Sequence, residues 1–287
     1  MNRNILKEIE ERLPTFSKGQ KLISAYILNS YDKAAYMTAA RLGSIVSVSE
    51  STVVRFAIEL GFDGYPELQH ALQEMVRTKL TSVQRMEVTN SLIGDGDVLS
   101  KVLTSDAEKI KRTLDEIDRE AFLGAVDDIA SASHIYVMGA RSSASLAGFL
   151  AHNLGMIFDS VKLVQTSSSD EMFEQMLNVG EGDVLIAISF PRYSKKIIHA
   201  VNYAESKGAK VIAITDSNTS PIAMIADRKL LARSDMASFV DSLVAPLSIT
   251  NAIIVSVARK NQDALTQRLR HLEEIWDEYE VYDKNLS

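Results

Sequence analysis

The 287-residue sequence contains no cysteine, which excludes disulfides, thiolate metal sites and cysteine nucleophiles. Long apolar runs are missing as well. Ser, Asp or Gly interrupts each stretch before the ~20 residues needed to cross a bilayer. The stretch Met1-Asn2-Arg3-Asn4-Ile5-Leu6-Lys7-Glu8 reaches charge too early for an apolar leader, so a cytoplasmic protein with no membrane partner is expected. There is no excess of positive charge either. Lys and Arg number 31 against 38 Asp and Glu, a net charge of −7, which argues against a nonspecific binder of polyanions. Residues 1–80 hold 10 basic against 9 acidic side chains and the remainder 21 against 29, so any affinity for nucleic acid belongs to the front of the chain. His70, His134, His152, His199 and His271 are scattered without metal-ligand spacing, and neither a Gly-Lys-Ser/Thr phosphate loop nor a serine-hydrolase elbow occurs. No metal, cofactor or catalytic residue is therefore expected.

What is present is an ordinary globular composition, 46% hydrophobic and 24% charged, on a chain long enough for two domains. Residues 5–80 read as helix. Ile5, Leu6, Ile9 and Leu13 form one amphipathic stripe. Ser17 is placed to cap a second helix carrying Ile23, Ile27 and Leu28, and two short helices follow near 38–46 and 50–60. Pro66 sits where a last helix would begin. Residues 81–96 are polar and end in Gly94-Asp95-Gly96, which reads as a linker. Beyond it, helices near 98–115 and 119–131 precede short aliphatic runs at His134–Met138, Val161–Gln165, Val184–Ser189 and Val211–Thr215, with a weaker one at Lys229–Ala232. Runs apolar on both faces and alternating with helices predict a doubly wound parallel sheet. The expected organisation is an all-α domain at 1–80, a linker at 81–96 and an α/β domain at 97–287.

Within the first domain, Leu42, Val46, Val48, Val53 and Phe56 have the spacing of two short helices packed across a tight turn, with Ser49 capping the second. Facing these residues inward leaves Glu50, Ser51, Thr52, Arg55 and Glu59 outward. Small hydroxyls in a first turn with Arg one turn later suit a helix entering a major groove, where Ser49, Glu50, Ser51, Thr52 and Arg55 would meet operator DNA. Spacing alone fits a plain packed helix pair equally well. The stretch Ser49-Glu50-Ser51-Thr52-Val53-Val54-Arg55-Phe56-Ala57, followed by Leu60-Gly61-Phe62-Asp63-Gly64-Tyr65-Pro66-Glu67, closely resembles the N-terminal domain of the MurR/RpiR family of bacterial regulators. So do Leu13-Pro14-Thr15-Phe16-Ser17-Lys18-Gly19-Gln20-Lys21 and the Ala25–Leu28 helix. The sequence departs from that family at Gly43, where Ala is usual, and at Ser47, where Gly often makes the turn. Double-stranded operator DNA is the partner this resemblance implies.

In the second domain three strand ends are rich in hydroxyls: Gly139-Ala140-Arg141-Ser142-Ser143, Thr166-Ser167-Ser168 and Ser189-Phe190-Pro191-Arg192-Tyr193-Ser194. Helix N-termini, hydroxyls and a cation together hold phosphate, which makes Arg141, Ser142, Ser143, Thr166, Ser167, Ser168, Ser189, Arg192, Tyr193 and Ser194 the candidate ligand residues. Each serine could instead merely cap a helix. The arrangement resembles the SIS (sugar isomerase) domain, a flavodoxin-like fold, over roughly residues 97–260. The resemblance implies a phosphorylated sugar or amino sugar as effector. Arg141 stands where that family has a second glycine, and Pro191 and Arg192 replace its inner Ser-Gly. Two added guanidiniums suit a ligand more anionic than a hexose monophosphate, although both could face outward and pair with acids across a subunit interface.

A sugar-phosphate isomerase, or a non-catalytic sensor carrying a helical accessory domain, is the alternative. An isomerase needs a base within reach of the substrate carbon, and Glu171, Glu174 and Glu205 occupy no assignable motif. Paired half-sites call for paired reading helices, so a homodimer or homotetramer is expected. The apolar helix near 243–257 could form the contact or simply cover the sheet.

Overall fold

The computed structural model describes residues 5–79, 81–93, 96–165, 168–235 and 240–282, and it divides into two compact units. The first comprises Met1–Lys101 with Met236–Asp241, the second Val102–Asp235 with Ser242–Ser287.

The first unit is helical: α1 (Ile5–Arg12), α2 (Lys18–Ala34), α3 (Ala39–Ile45), α4 (Glu50–Glu59), α5 (Tyr65–Lys79) and α6 (Ser82–Ile93). Ser17 starts α2 through a capping box, accepting from the Gln20 N–H while the Gln20 side chain accepts from the Ser17 N–H. Ile9, Ile23, Ile27, Leu42, Phe56, Leu68 and Leu72 fill the core, and Phe16 meets Phe56 edge-on at 5.3 Å between ring centres. Tyr65 closes the far side by donating to the Met37 carbonyl at 2.8 Å, and burial pushes its phenol up to about 12, so it stays protonated as a donor. Truncating Phe56 opens a cavity against a packed ring. Phe56→Ala is expected to cost about 3–5 kcal/mol in urea unfolding followed by helical circular dichroism.

Residues 81–96, expected as a linker, contain α6. The signal was in the sequence. Thr81 and Gln84 make a reciprocal cap, the Gln84 N–H donating to Thr81 Oγ1 at 3.3 Å and the Thr81 N–H to Gln84 Oε1 at 3.0 Å, and no proline or glycine follows before Gly94. Gly94 and Asp95 lie outside the described residues. Asp97 then caps α7 (Val98–Glu116) through the Ser100 N–H, and the Ser100 hydroxyl, followed by that N–H, holds its carboxyl below the usual range.

The second unit continues with α8 (Arg119–Ser131), β1 (Ile135–Gly139), α9 (Ser143–Gly155), β2 (Val161–Val164), α10 (Ser169–Gln175), β3 (Val184–Ile188), α11 (Lys195–Ser206), β4 (Lys210–Thr215), β5 (Arg228–Leu231), α12 (Val244–Lys260) and α13 (Gln262–Glu278). The five strands are all parallel in the order β2-β1-β3-β4-β5. Alternate residues feed opposite layers. Ile135, Val137, Ile186, Ile188, Ile212 and Ile214 pack with α8, α9 and α12, while Tyr136, Met138, Leu185, Ala187, Val211 and Ala213 pack with α10 and α11. The helix expected near 243–257 is α12, and its Ile249, Ile253 and Val257 belong to the sheet core. Of its two expected roles, covering the sheet is the one observed.

Candidate functional site

The helix pair of the first unit turns on Ser47. Val46 is the C-cap of α3, Ser47 takes the left-handed conformation (φ +57°), and the Val48 N–H donates back to the Gly43 carbonyl at 2.9 Å. This is a Schellman closure with serine at the position glycine usually fills. Gly43 does not loosen the pair, as its departure from alanine would suggest. A Cβ there would stand 2.8 Å from the Val48 carbonyl oxygen, so glycine lets the turn close down on α3.

The turn delivers Ser49 to the N-cap of α4, where its Oγ accepts from the Thr52 N–H at 3.3 Å and lies 2.9 and 2.8 Å from the Ser51 and Thr52 hydroxyls. Val53, Phe56 and Ala57 point into the core. Ser49, Glu50, Ser51 and Arg55 are exposed and lie on the outward side as expected, whereas Thr52 is half-buried at the edge, its methyl group facing Gly19 of α2. Arg55 donates Nε to the Ser51 carbonyl at 3.3 Å, which aims the guanidinium along the helix, and its terminal nitrogens have no partner among the described residues. An exposed hydroxyl cluster at a helix N-terminus, followed one turn later by a steadied guanidinium, can hold a phosphate and reach a base edge.

In the second unit the strand order reverses between β1 and β3, and a doubly wound sheet opens its ligand crevice where that happens, beyond the carboxyl ends of the strands. Gly139 pairs with Ile188 there, so the β1–α9 and β3–α11 loops leave from adjacent strands. Arg141, Ser142, Ser143, Ser189, Arg192, Tyr193 and Ser194 all belong to these two loops. Ser143 and Ser189 are buried, whereas Arg141, Ser142 and Arg192 are exposed.

Both arginines hold left-handed backbone, Arg141 at φ +57° and Arg192 at φ +65°. They stand where the resemblance expects glycine, and the loops have kept the glycine conformation with a bulkier residue in it. Such backbone costs a non-glycine residue about 1–2 kcal/mol and clusters at functional sites.

The serines separate into two groups. Ser142 and Ser194 occupy the N-cap positions of α9 and α11, yet neither side chain makes a capping bond. Ser168 does cap α10, accepting from the Glu171 N–H at 3.3 Å. Capping therefore accounts for Ser168 but not for the serines at the strand reversal. Thr166 and Ser167 lie outside the described residues.

Asp216 was not anticipated. It follows β4, and its Oδ1 accepts from the Tyr193 hydroxyl at 2.9 Å and the Thr215 hydroxyl at 3.2 Å. Like Ser189 after β3, it is a polar residue directly after an aliphatic strand. Among the described residues no group of His, Asp or Glu is placed to hold a metal ion, and no helix is long and apolar enough to cross a membrane.

The profile of the helix-turn-helix domain of the rpiR family matches residues 3–79, and that of the SIS domain matches residues 128–256. The chain belongs to the RpiR family. This RpiR member is a transcriptional regulator with a helix-turn-helix region ahead of a SIS domain. It is 23% identical to the HTH-type transcriptional regulator HexR of Pseudomonas aeruginosa over 278 residues, covering 95% of each chain. The sugar isomerase domain of an RpiR transcription factor from Sphaerobacter thermophilus is 29% identical, with a TM-score of 0.56 over 61% of this chain and 97% of that one. The Vibrio vulnificus NanR protein complexed with ManNAc-6P shares the fold at 21% identity, with a TM-score of 0.60 over 96% of this chain and 99% of that one.

Proposed function

We propose that this regulator senses a phosphorylated sugar or amino sugar at the carboxyl ends of β1 and β3, and that the bound effector sets the DNA affinity of α4. The observation that carries the reading is the pair of N-cap serines, Ser142 and Ser194, that cap nothing at the one place where the sheet reverses. With Ser143, Ser189 and the α9 and α11 N–H groups they make a cradle for a phosphate, and Arg141 and Arg192 add positive charge. Tyr193, held on Asp216, faces a sugar hydroxyl. NanR, which has the same fold, binds ManNAc-6P, an amino sugar phosphate of the class proposed here.

The role is sensing without turnover. Glu205 lies near the far end of α11, roughly 16 Å along the helix from Ser194 at 1.5 Å per residue, too far to act as a base at the loop. Glu171 and Glu174 are exposed on α10. A homo-oligomer presents two copies of α4 to paired half-sites, and the effector shifts DNA affinity only by its preference between the DNA-competent arrangement and any other.

Two measurements test the reading. A panel of hexose and N-acetylhexosamine 6-phosphates is screened by thermal melting. A true effector at 100 times its Kd stabilises the folded chain by about 2.7 kcal/mol, a rise of roughly 5–10 °C for a domain of this size. Arg55→Ala is then expected to weaken retention on promoter DNA selected by the wild type from genomic fragments about 10- to 100-fold, the 1–3 kcal/mol carried by one arginine at a base edge, while leaving the effector-induced melting shift unchanged. A panel with no response sinks the sensor; full DNA affinity in Arg55→Ala sinks the assignment of α4.

A further inference from the structure

Helix α7 is polar on the inside and apolar on the outside. Leu99, Leu103, Ile110 and Leu114 follow one another at steps of four, seven and four, which places them on one face. They are 69, 59, 38 and 58% exposed. The face turned toward the rest of the second unit carries Lys109 and Thr113, both buried. Lys109 donates to Ser105 Oγ at 2.8 Å and to Asp106 at 3.2 Å, Asp106 accepts from the Ser242 hydroxyl at 2.7 Å, and Thr113 accepts from the Arg233 N–H at 2.9 Å. A helix on a protein surface ordinarily buries its apolar stripe and shows water its polar side. The preceding helix repeats the inversion. On α6, Val83 and Met86 are 61 and 45% exposed, while Arg85 and Thr89 are buried and Arg85 pairs with Asp241 at 2.9 Å.

We infer that α7 packs antiparallel against α7 of a second copy of this chain, about a two-fold axis passing between residues 106 and 107. The register of the stripe selects this occupant. Leu99 with Leu114 and Leu103 with Ile110 share one midpoint, so reversing the helix lays the stripe on itself: Leu99 meets Leu114 of the other copy, and Leu103 meets its Ile110. That self-match is what an isologous interface requires. Ala107, exposed beside the midpoint, leaves room for the helices to approach where they cross. Asp106 lies beside the axis on the other edge of the stripe, and its carboxylate is already engaged by Lys109 and the Ser242 hydroxyl, so its copy is not met as a bare charge. The four side chains expose on the order of 300–400 Å², comparable to a large patch on a monomer and close to half of the ~800 Å² each partner contributes to a standard interface. They supply its apolar centre. The inference stands on the helix alone and holds whichever effector the SIS domain takes.

The absence of cysteine makes the test clean, because introduced thiols are the only ones present. Facing Cα atoms of two packed helices come within the 4.4–6.8 Å that a disulfide spans. On oxidation, Ala107→Cys is expected to give a covalent dimer on non-reducing gels, and Arg112→Cys, on the opposite side of the helix, is not. Chains carrying Leu99→Cys mixed with chains carrying Leu114→Cys should cross-link; Leu99→Cys alone should not. By sedimentation the wild type should be a dimer or a larger even assembly, and Leu103→Asp/Ile110→Asp should halve its mass while keeping the wild-type circular dichroism spectrum, since both positions are open to water in the single chain. A monomeric wild type, an unchanged mass in the double aspartate variant, or cross-linking of Arg112→Cys or Leu99→Cys alone as readily as Ala107→Cys overturns the inference.

Discussion

Gly139→Ala is expected to lower effector affinity at least 100-fold while leaving DNA binding by α4 intact. A Cβ built on Gly139 falls 2.4 Å from the Ser143 carbonyl oxygen, 2.7 Å from its carbon and 3.2 Å from the Ala144 nitrogen. These are backbone atoms in the first turn of α9, and no rotamer change relieves them. Gly139 is itself pinned in the sheet opposite Ile188, so the displacement falls on α9. That moves the N–H groups and the Ser142 and Ser143 hydroxyls proposed to hold the phosphate, and a shift of about 1 Å in such a cradle can cost two orders of magnitude. Overpacking should also take about 1–3 kcal/mol from the stability of the SIS domain. Gly148→Ala is the matched control. It lies on the same helix, its Cβ meets nothing within 4 Å, and it should stabilise by about 1 kcal/mol with unchanged affinity. Calorimetric titration of the two variants separates the cases, and equal affinity in both would remove the β1–α9 loop from the site.

Much of this architecture was legible in the residues. The aliphatic runs mark all five strands to within a few positions because a strand covered on both faces needs apolar side chains on both. Ser17 and Ser49 announced their helices because a cap is a local bond. The strand order could not be read, since it depends on which crossovers pack together over the whole sheet. α6 is hidden by composition: its polar residues read as a linker, and the only local sign of the helix is the Thr81 to Gln84 spacing of its cap. Asp216 gives no signal of its own in the sequence, because a single carboxylate after a strand acquires its role only from the Tyr193 hydroxyl that the fold brings to it. α7 misled in another way, for its amphipathic stripe is plain in the sequence, but nothing local says that the polar side faces the domain. The left-handed turns at Ser47, Arg141 and Arg192 became visible only through glycines expected at those positions; serine and arginine carry no such signal themselves.

Those arginines give a prediction whose two halves have opposite signs. Replacing both by glycine, in Arg141→Gly/Arg192→Gly, removes the steric cost of left-handed backbone, about 1–2 kcal/mol at each position, against the roughly 0.5–1 kcal/mol that glycine's extra freedom costs on folding. The melting temperature of the unliganded protein should therefore rise by a few degrees. Effector affinity should fall. A hydrogen bond from a charged group is worth about 1.5–3 kcal/mol, so losing two of them predicts at least a 100-fold weaker Kd. The salt dependence of binding should flatten as well, because both guanidiniums are exposed and their attraction for an anion is screened over ~8–10 Å at ordinary ionic strength. Arginines that only faced outward would give the first half without the second: a more stable protein with full affinity. A gain in stability together with a loss of affinity is the signature of strain retained for binding, because the conformation is unfavourable to the residue and is repaid only when the anion arrives.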